Sequence, residues 1–142
     1  MPKERSAAAA ERDAPADALA GMFARHRILV VDDNRDVVET AALLLTALGQ
    51  TVEGSYDGAA ALIVAREFQP EVVILDLDMP GLSGFEVARK LRAIPGMKQA
   101  RLVAYTGSSR EEYRAFATAA GFDEYIVKPA SFPQFVALLR DP

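Results

Sequence analysis

The 142-residue chain contains no cysteine. Disulfides and thiolate metal sites are therefore excluded. No apolar run approaches the ~20 residues that a membrane-spanning helix requires. The N-terminus lacks the apolar core of a signal peptide. A Gly-x-Gly-x-x-Gly fingerprint is missing, which disfavours a dinucleotide enzyme. A charge excess is missing too: the net charge is −4, with acids and bases mixed along the chain. Such a balance gives no general attraction to nucleic acid or to a membrane surface. The expectation is a soluble cytoplasmic protein. Its hydrophobic fraction of 51% and charged fraction of 25% are those of an ordinary globular domain. The length suits one domain with a substantial core.

Residues 1–26 form an Ala-rich tail with too little bulk for a core of its own. It is expected to be flexible, with one short helix around Ala16–Ala24. The other reading is a docking arm packed by Leu19, Met22 and Phe23. The domain proper is expected over residues 27–142. Ile28–Val31 is a short β-branched apolar run, as a buried parallel strand requires. Val37, Ala41, Leu44, Leu45 and Leu48 fall on one helical face, and Gly49 sits where that helix should stop. Thr51–Ser55 is more polar and reads as an edge strand. Asp57 can cap a helix through Phe68, which Pro70 closes off. Val72–Leu75 is a second wholly apolar strand, and Ser83 with Glu86 reads as a capping box for a helix to about Ala93. Leu102–Tyr105 is a fourth strand. Ser109 with Glu112 reads as another capping box, for a helix ending at Gly121. Tyr125–Val127 is a fifth strand, and Ser131 with Gln134 opens a last helix to about Arg140.

The pattern predicts an α/β fold, flavodoxin-like (βα)5: a single doubly wound five-stranded parallel sheet. The polar second strand and short fifth strand suit the edges, which favours the order 2-1-3-4-5. In that order a crevice opens at the C-terminal ends of strands 1 and 3. Asp32 and Asp33 follow strand 1, and Asp76 follows strand 3. Topology thus brings three carboxylates together, and such a cluster must hold a proton or a cation. Mg²⁺ suits it, being a hard ion that takes one or two carboxylates and completes its shell with water and phosphate oxygens. Thr106 and Lys128, at the ends of strands 4 and 5, point into the same end of the sheet. A hydroxyl and an ammonium there can hold two phosphoryl oxygens. Asp76, on the central strand between these groups, is the expected nucleophile. Taken singly, each of these residues reads as a cap, a turn or a solvated charge; the convergence favours function.

These residues match a known family. Leu29-Val30-Val31-Asp32-Asp33-Asn34 resembles the opening of bacterial response-regulator receiver domains. Leu75-Asp76-Leu77-Asp78-Met79-Pro80-Gly81-Leu82-Ser83-Gly84 resembles their Asp-x-x-Met-Pro-x-x-x-Gly signature. Thr106, and Lys128 followed by Pro129, match the remaining positions, and the resemblance runs from about Arg27 to Arg140. It implies phosphorylation of Asp76 in a two-component phosphorelay. It implies Mg²⁺ held directly by Asp33, Asp76 and the backbone carbonyl of Asp78, with Asp32 acting through a water. Thr106 would move to the phosphoryl group and Lys128 would pair with it. The Lys128–Pro129 bond resembles one that is cis in the family. Tyr125 occupies the place of an aromatic switch; the other reading is a strand-edge aromatic with its hydroxyl in water. The readout would be the surface of the fourth helix, fifth strand and fifth helix, docking a downstream protein. Gly107 and Asp78 depart from the commonest pattern and are expected to set the lifetime of the phosphoryl group.

The donor would be a histidine kinase or a histidine phosphotransfer protein. His26 is an unsuitable donor: it precedes strand 1, at the far end of the sheet, and reads as a solvated residue. No output domain is expected in the chain. Two readings stay open: a stand-alone receiver, or a receiver belonging to a hybrid sensor kinase. From other classes, Asp76-Leu77-Asp78 matches the Asp-x-Asp of haloacid-dehalogenase-type phosphatases. That motif normally ends a first strand, and Pro80 replaces its following Thr or Val. A flavodoxin-type cofactor binder would need a phosphate cradle after strand 1, where two aspartates would repel phosphate. A scaffold-only receiver is disfavoured because all five signature residues are intact.

Overall fold

The computed structural model describes residues 21–140. Five strands alternate with five helices. They are β1 (Arg27–Val31), α1 (Arg35–Ala47), β2 (Thr51–Ser55), α2 (Gly58–Phe68), β3 (Val72–Leu75) and α3 (Gly84–Ala93), then β4 (Arg101–Thr106), α4 (Glu111–Ala120), β5 (Glu124–Val127) and α5 (Phe132–Leu138). All strand pairs are parallel, in the order β2-β1-β3-β4-β5. The expected doubly wound α/β sheet is therefore the observed one.

Residue type explains the layering. The inner strands β1, β3 and β4 are almost wholly buried, whereas β2 is mostly exposed, as its polar sequence requires of an edge. Alternation along the strands divides the core. Leu29, Val73, Leu75, Leu102 and Ala104 pack on one face, against Val87, Leu91 and Ala117 of α3 and α4. Ile28, Val30, Ile74, Val103 and Tyr105 pack on the other, against Leu45, Phe135 and Leu138 of α1 and α5. Hydrophobic burial on both faces fixes strand register, because a one-residue slip would exchange the two cores.

Local signals act as expected at most helix ends. Asn34 and Asp57 cap α1 and α2, and Ser83 and Ser131 form capping boxes. The helix before Gly121 ends there with φ of 101°, a conformation that favours glycine. The Ser109–Glu112 capping box is not formed. Arg110 is the N-cap of α4, without a side-chain bond, and Ser108 Oγ accepts the Arg110 N–H instead.

The helix expected around Ala16–Ala24 lies mostly outside the described residues, as do Leu19 and positions 141–142. Its described part is a turn and bend at Gly21–Phe23. Met22 is exposed, while Phe23 packs on the α1/α5 core. The chain entering β1 is pinned by Gln50, which is almost fully buried. Its side chain accepts the His26 N–H and donates to the carbonyls of Ala24 and Leu48. His26 itself is half-buried, its Nδ1 3.4 Å from Glu71, so it is not the freely solvated residue that its position suggested.

Candidate functional site

The backbone ladder continues past the strand ends and sets the carboxylates in place. Asp32 N–H donates to Ser55 O at 3.1 Å, and Asp76 N–H donates to Val31 O at 2.9 Å. Asp32 is 1% exposed and Asp76 4%, while Asp33 is open to solvent. One oxygen from each of Asp32, Asp33 and Asp76 lies within 4.8 Å of the others. Gly84 lets this happen: a Cβ there would stand 2.3 Å from the Asp76 carbonyl oxygen and 2.7 Å from Leu77 Cα. The start of α3 can press against the Asp76 backbone only because that side chain is missing.

Lys128 reaches across from the end of β5. Its Nζ lies 2.5 Å from Asp32 Oδ2 and 3.6 Å from Asp76 Oδ1. The Lys128–Pro129 bond is cis. Burial alone would push the Lys128 ammonium down; the bond to Asp32 and the charges of Asp76 and Asp32 outweigh it and hold the pKa above the ordinary lysine value. Burial, together with repulsion from Asp32 and Asp33, raises Asp76 to about 6, against the pull of the Asp78 N–H and Lys128. That N–H donates to Asp76 Oδ1 at 3.2 Å.

Thr106 ends β4, fully buried. Its hydroxyl donates to Asp78 Oδ2 at 3.4 Å, not to Asp76, and accepts the Ser108 N–H. Tyr113 of α4 donates to the other Asp78 oxygen at 3.2 Å. Tyr125 is partly buried, and its hydroxyl donates to Ser108 O at 2.6 Å, so it does not stand in water. Burial raises its pKa, and the Arg114 guanidinium lies 4.5 Å from its ring centroid. Gly107 is exposed, with open space where a Cβ would lie.

Asp32, Asp33, Asp76, Thr106 and Lys128 are thus brought to one end of the sheet. Sequence reasoning missed Tyr105 and Tyr113. For Tyr105 the available signal is a phenol at the end of a buried strand, which needs a hydroxyl partner; Tyr113, on α4, carries no such signal. A cavity of about 340 Å³ exists at the opposite end, lined by His26, Arg27, Glu71 and Arg101 among others. It takes no part in this site. The site lies at the C-terminal ends of parallel strands, where open α/β sheets take their ligands.

The chain belongs to the response regulator receiver domain family, whose model matches residues 28–140. It is therefore a receiver domain of the kind found in two-component systems. It is 37% identical over 116 residues to the DNA-binding response regulator MtrA of Mycolicibacterium paratuberculosis, covering 82% of this chain and 50% of that protein. It is 40% identical over 108 residues to the virulence sensor protein BvgS of Bordetella pertussis, covering 72% of this chain and 9% of that protein. The chain thus spans at most half the length of these relatives. Among solved structures, the chemotaxis protein CheY4 of Vibrio cholerae superposes with a TM-score of 0.78 at 28% identity, covering 82% of this chain and 97% of that one. The receiver domain of a sensor histidine kinase from Pseudomonas aeruginosa superposes at 0.74, with 26% identity and coverage of 82% and 95%. That domain has magnesium coordinated in its active-site cleft. The dehalogenase-type reading falls with this match. Asp76-Leu77-Asp78 follows β3 rather than a first strand, and the Asp78 carboxylate is occupied by Thr106 and Tyr113. No helix among the described residues is long and apolar enough to cross a membrane.

Proposed function

We propose that the domain accepts a phosphoryl group on Asp76 from a phosphohistidine on a histidine kinase or a phosphotransfer protein, with Mg²⁺ in the acidic cluster. The observation that carries this reading is the convergence of Asp32, Asp33 and Asp76 beneath the Lys128 ammonium. The residues suit Mg²⁺: three hard carboxylates lie together, and Asp32 Oδ2 is buried with Lys128 as its one charged partner among the described residues. Asp33, Asp76 and the Asp78 carbonyl would hold the ion, with Asp32 acting through a water. When bound, the ion neutralises charge on the transferring phosphoryl oxygens.

The chain's own groups do the rest. An Asp76 oxygen forms the O–P bond while the donor's N–P bond breaks, and the imidazole leaves with its electron pair. Lys128 turns from Asp76 to a phosphoryl oxygen. Thr106 gives up Asp78 and donates to another. The acyl phosphate adds nearly −2 charge to a crevice already lined with acids. Movement of Thr106 draws on β4 and frees the Ser108 carbonyl region to which Tyr125 is bound, which would carry the change to the α4–β5–α5 surface and a downstream protein. The family serves both a DNA-binding regulator and a sensor protein among the relatives. The same phosphoryl acceptance would serve a stand-alone regulator or a hybrid kinase.

Incubation with acetyl phosphate should add one phosphoryl group in intact-mass measurements only when Mg²⁺ is present, and Asp76→Asn should abolish the gain. An equal gain in the mutant would reject Asp76 as the acceptor. The lifetime of the product should respond to Gly107→Ala, which has room for its methyl group, and to Asp78→Asn. Both variants should lose phosphate more slowly than the parent, by shielding the acyl phosphate and by giving Thr106 a weaker competitor. Unchanged dephosphorylation rates in both would remove these residues from that role.

A further inference from the structure

Tyr105 is adjacent to Thr106 but faces the other side of the sheet. It is 8% exposed and packs edge-on against Phe135 of α5, at 6.2 Å between ring centroids. Two further contacts involve the loop after β5, whose Ala130 also packs against that core. Its hydroxyl oxygen accepts the Ala130 N–H at 3.1 Å, two residues beyond Lys128. The Lys128 Nζ lies 5.6 Å from the centroid of its ring. The strand ladder adds a third tie between the same segments, from Lys128 N–H to Thr106 O at 2.7 Å.

We propose that Tyr105 is a positioning residue for Lys128, holding the Lys128–Pro129–Ala130 loop by its hydroxyl and bordering the ammonium by its ring. β5 stops at Val127, and beyond the Lys128 N–H bond to Thr106 O the ladder with β4 ends. A lysine side chain has several freely rotating bonds and costs considerable entropy to hold in one place. Asp32 draws the ammonium inward, but an ion pair fixes distance better than direction. The phenol ties the loop backbone on one side of Lys128, and β4 ties it on the other. The ring face is a favourable wall for a cation and offers no competing acceptor to its N–H groups. The ammonium is left free to bond Asp32, Asp76 or a phosphoryl oxygen. Because Tyr105 touches no reacting atom, its effect must pass through Lys128.

This inference rests on the proposed phosphoryl acceptance, and its test separates the two. Rates of phosphorylation by acetyl phosphate would be compared for the parent, Tyr105→Phe, Lys128→Met and the double variant, at saturating Mg²⁺. Tyr105→Phe should slow the reaction by about tenfold, as small displacements of a reacting group do. In the Lys128→Met background it should have almost no further effect, since its target is gone. Equal slowing in both backgrounds, or none in the parent, would overturn the proposal. A second measurement needs no phosphorylation. The ε-methylene protons of Lys128 should lie upfield in the NMR spectrum because of the Tyr105 ring, and should return to ordinary lysine values in Tyr105→Leu. Ordinary values in the parent would overturn the placement of Lys128 against the ring. A parent that takes no phosphate but shows the upfield protons would reject the acceptor reading while keeping the Tyr105–Lys128 contact.

Discussion

Asp76→Asn should make the metal-free domain more stable at pH 7 while removing its acceptor. The Asp76 carboxyl is buried beside Asp32 and Asp33, and its pKa is raised from 3.8 to about 6. A group with a raised folded-state pKa binds a proton in the native state that the unfolded chain has released. Asp76 therefore favours folding least when ionised, and stability falls as pH rises from about 4 through about 6. At neutral pH the full penalty applies, about 2–3 kcal/mol for such a shift. Asparagine avoids it and can still accept the Asp78 N–H. Urea unfolding in chelator should show the mutant ahead at pH 7 by roughly 2 kcal/mol, with the advantage shrinking toward pH 4. A gain of constant size across that range would mean that the charge is not its source. Millimolar Mg²⁺ should reverse the order, since a ligand that binds the native acids stabilises only the protein that holds it well.

Lys128→Met should act in the opposite direction. The ammonium is the one cation within reach of both Asp32 and Asp76 among the described residues, and Asp32 is nearly inaccessible to water. Removing one partner of such a pair strands a buried charge, at a cost of about 3 kcal/mol. Methionine keeps most of the packing, so the loss is electrostatic. Lys128 titrates above the ordinary lysine value. Its contribution is therefore complete at neutral pH and is lost only as pH rises through that higher pKa. In chelator the variant should unfold at clearly lower urea, and Mg²⁺ should restore most of the difference by supplying the missing positive charge. Phosphorylation should still be slowed by about 100-fold, the usual scale for losing a preorganised charge at a transferring group. A stability loss that Mg²⁺ leaves unchanged would show that Lys128 supports the fold by packing alone.

Much of this arrangement was legible in the sequence because the signals are local or follow from topology. β-branched runs mark β1 and β3, and the polar Thr51–Ser55 marks an edge. Once the order is set, residues at the strand ends must meet, which is why Asp32, Asp33, Asp76, Thr106 and Lys128 could be named together. The start of α4 departs from its local signal for a physical reason. Ser109 and Glu112 have capping spacing, but Ser108 is held by Thr106 on one side and Tyr125 on the other. The second of those ties comes from β5, 17 residues on, and together they override the local preference. The Asp78 partners were invisible for the same reason: Tyr113 is 35 residues away and Thr106 is 28. Nor could spacing reveal that Thr106 rests on Asp78 in this state and not on Asp76. The hydroxyl partner of Tyr105 is hidden from spacing in the same way, 25 residues on and beyond a loop.

The two ends of the described segment lie on the same side of the domain. Met22, Phe23 and Ala24 line a shallow depression with Val136, Leu139 and Arg140, and the Arg140 carbonyl accepts from Arg101 at the foot of β4. Entry and exit are thus neighbours on the floor of the sheet, with the carboxylates on its roof. A domain joined at that pole is a cassette: segments attached there lie away from the chemistry at the far pole.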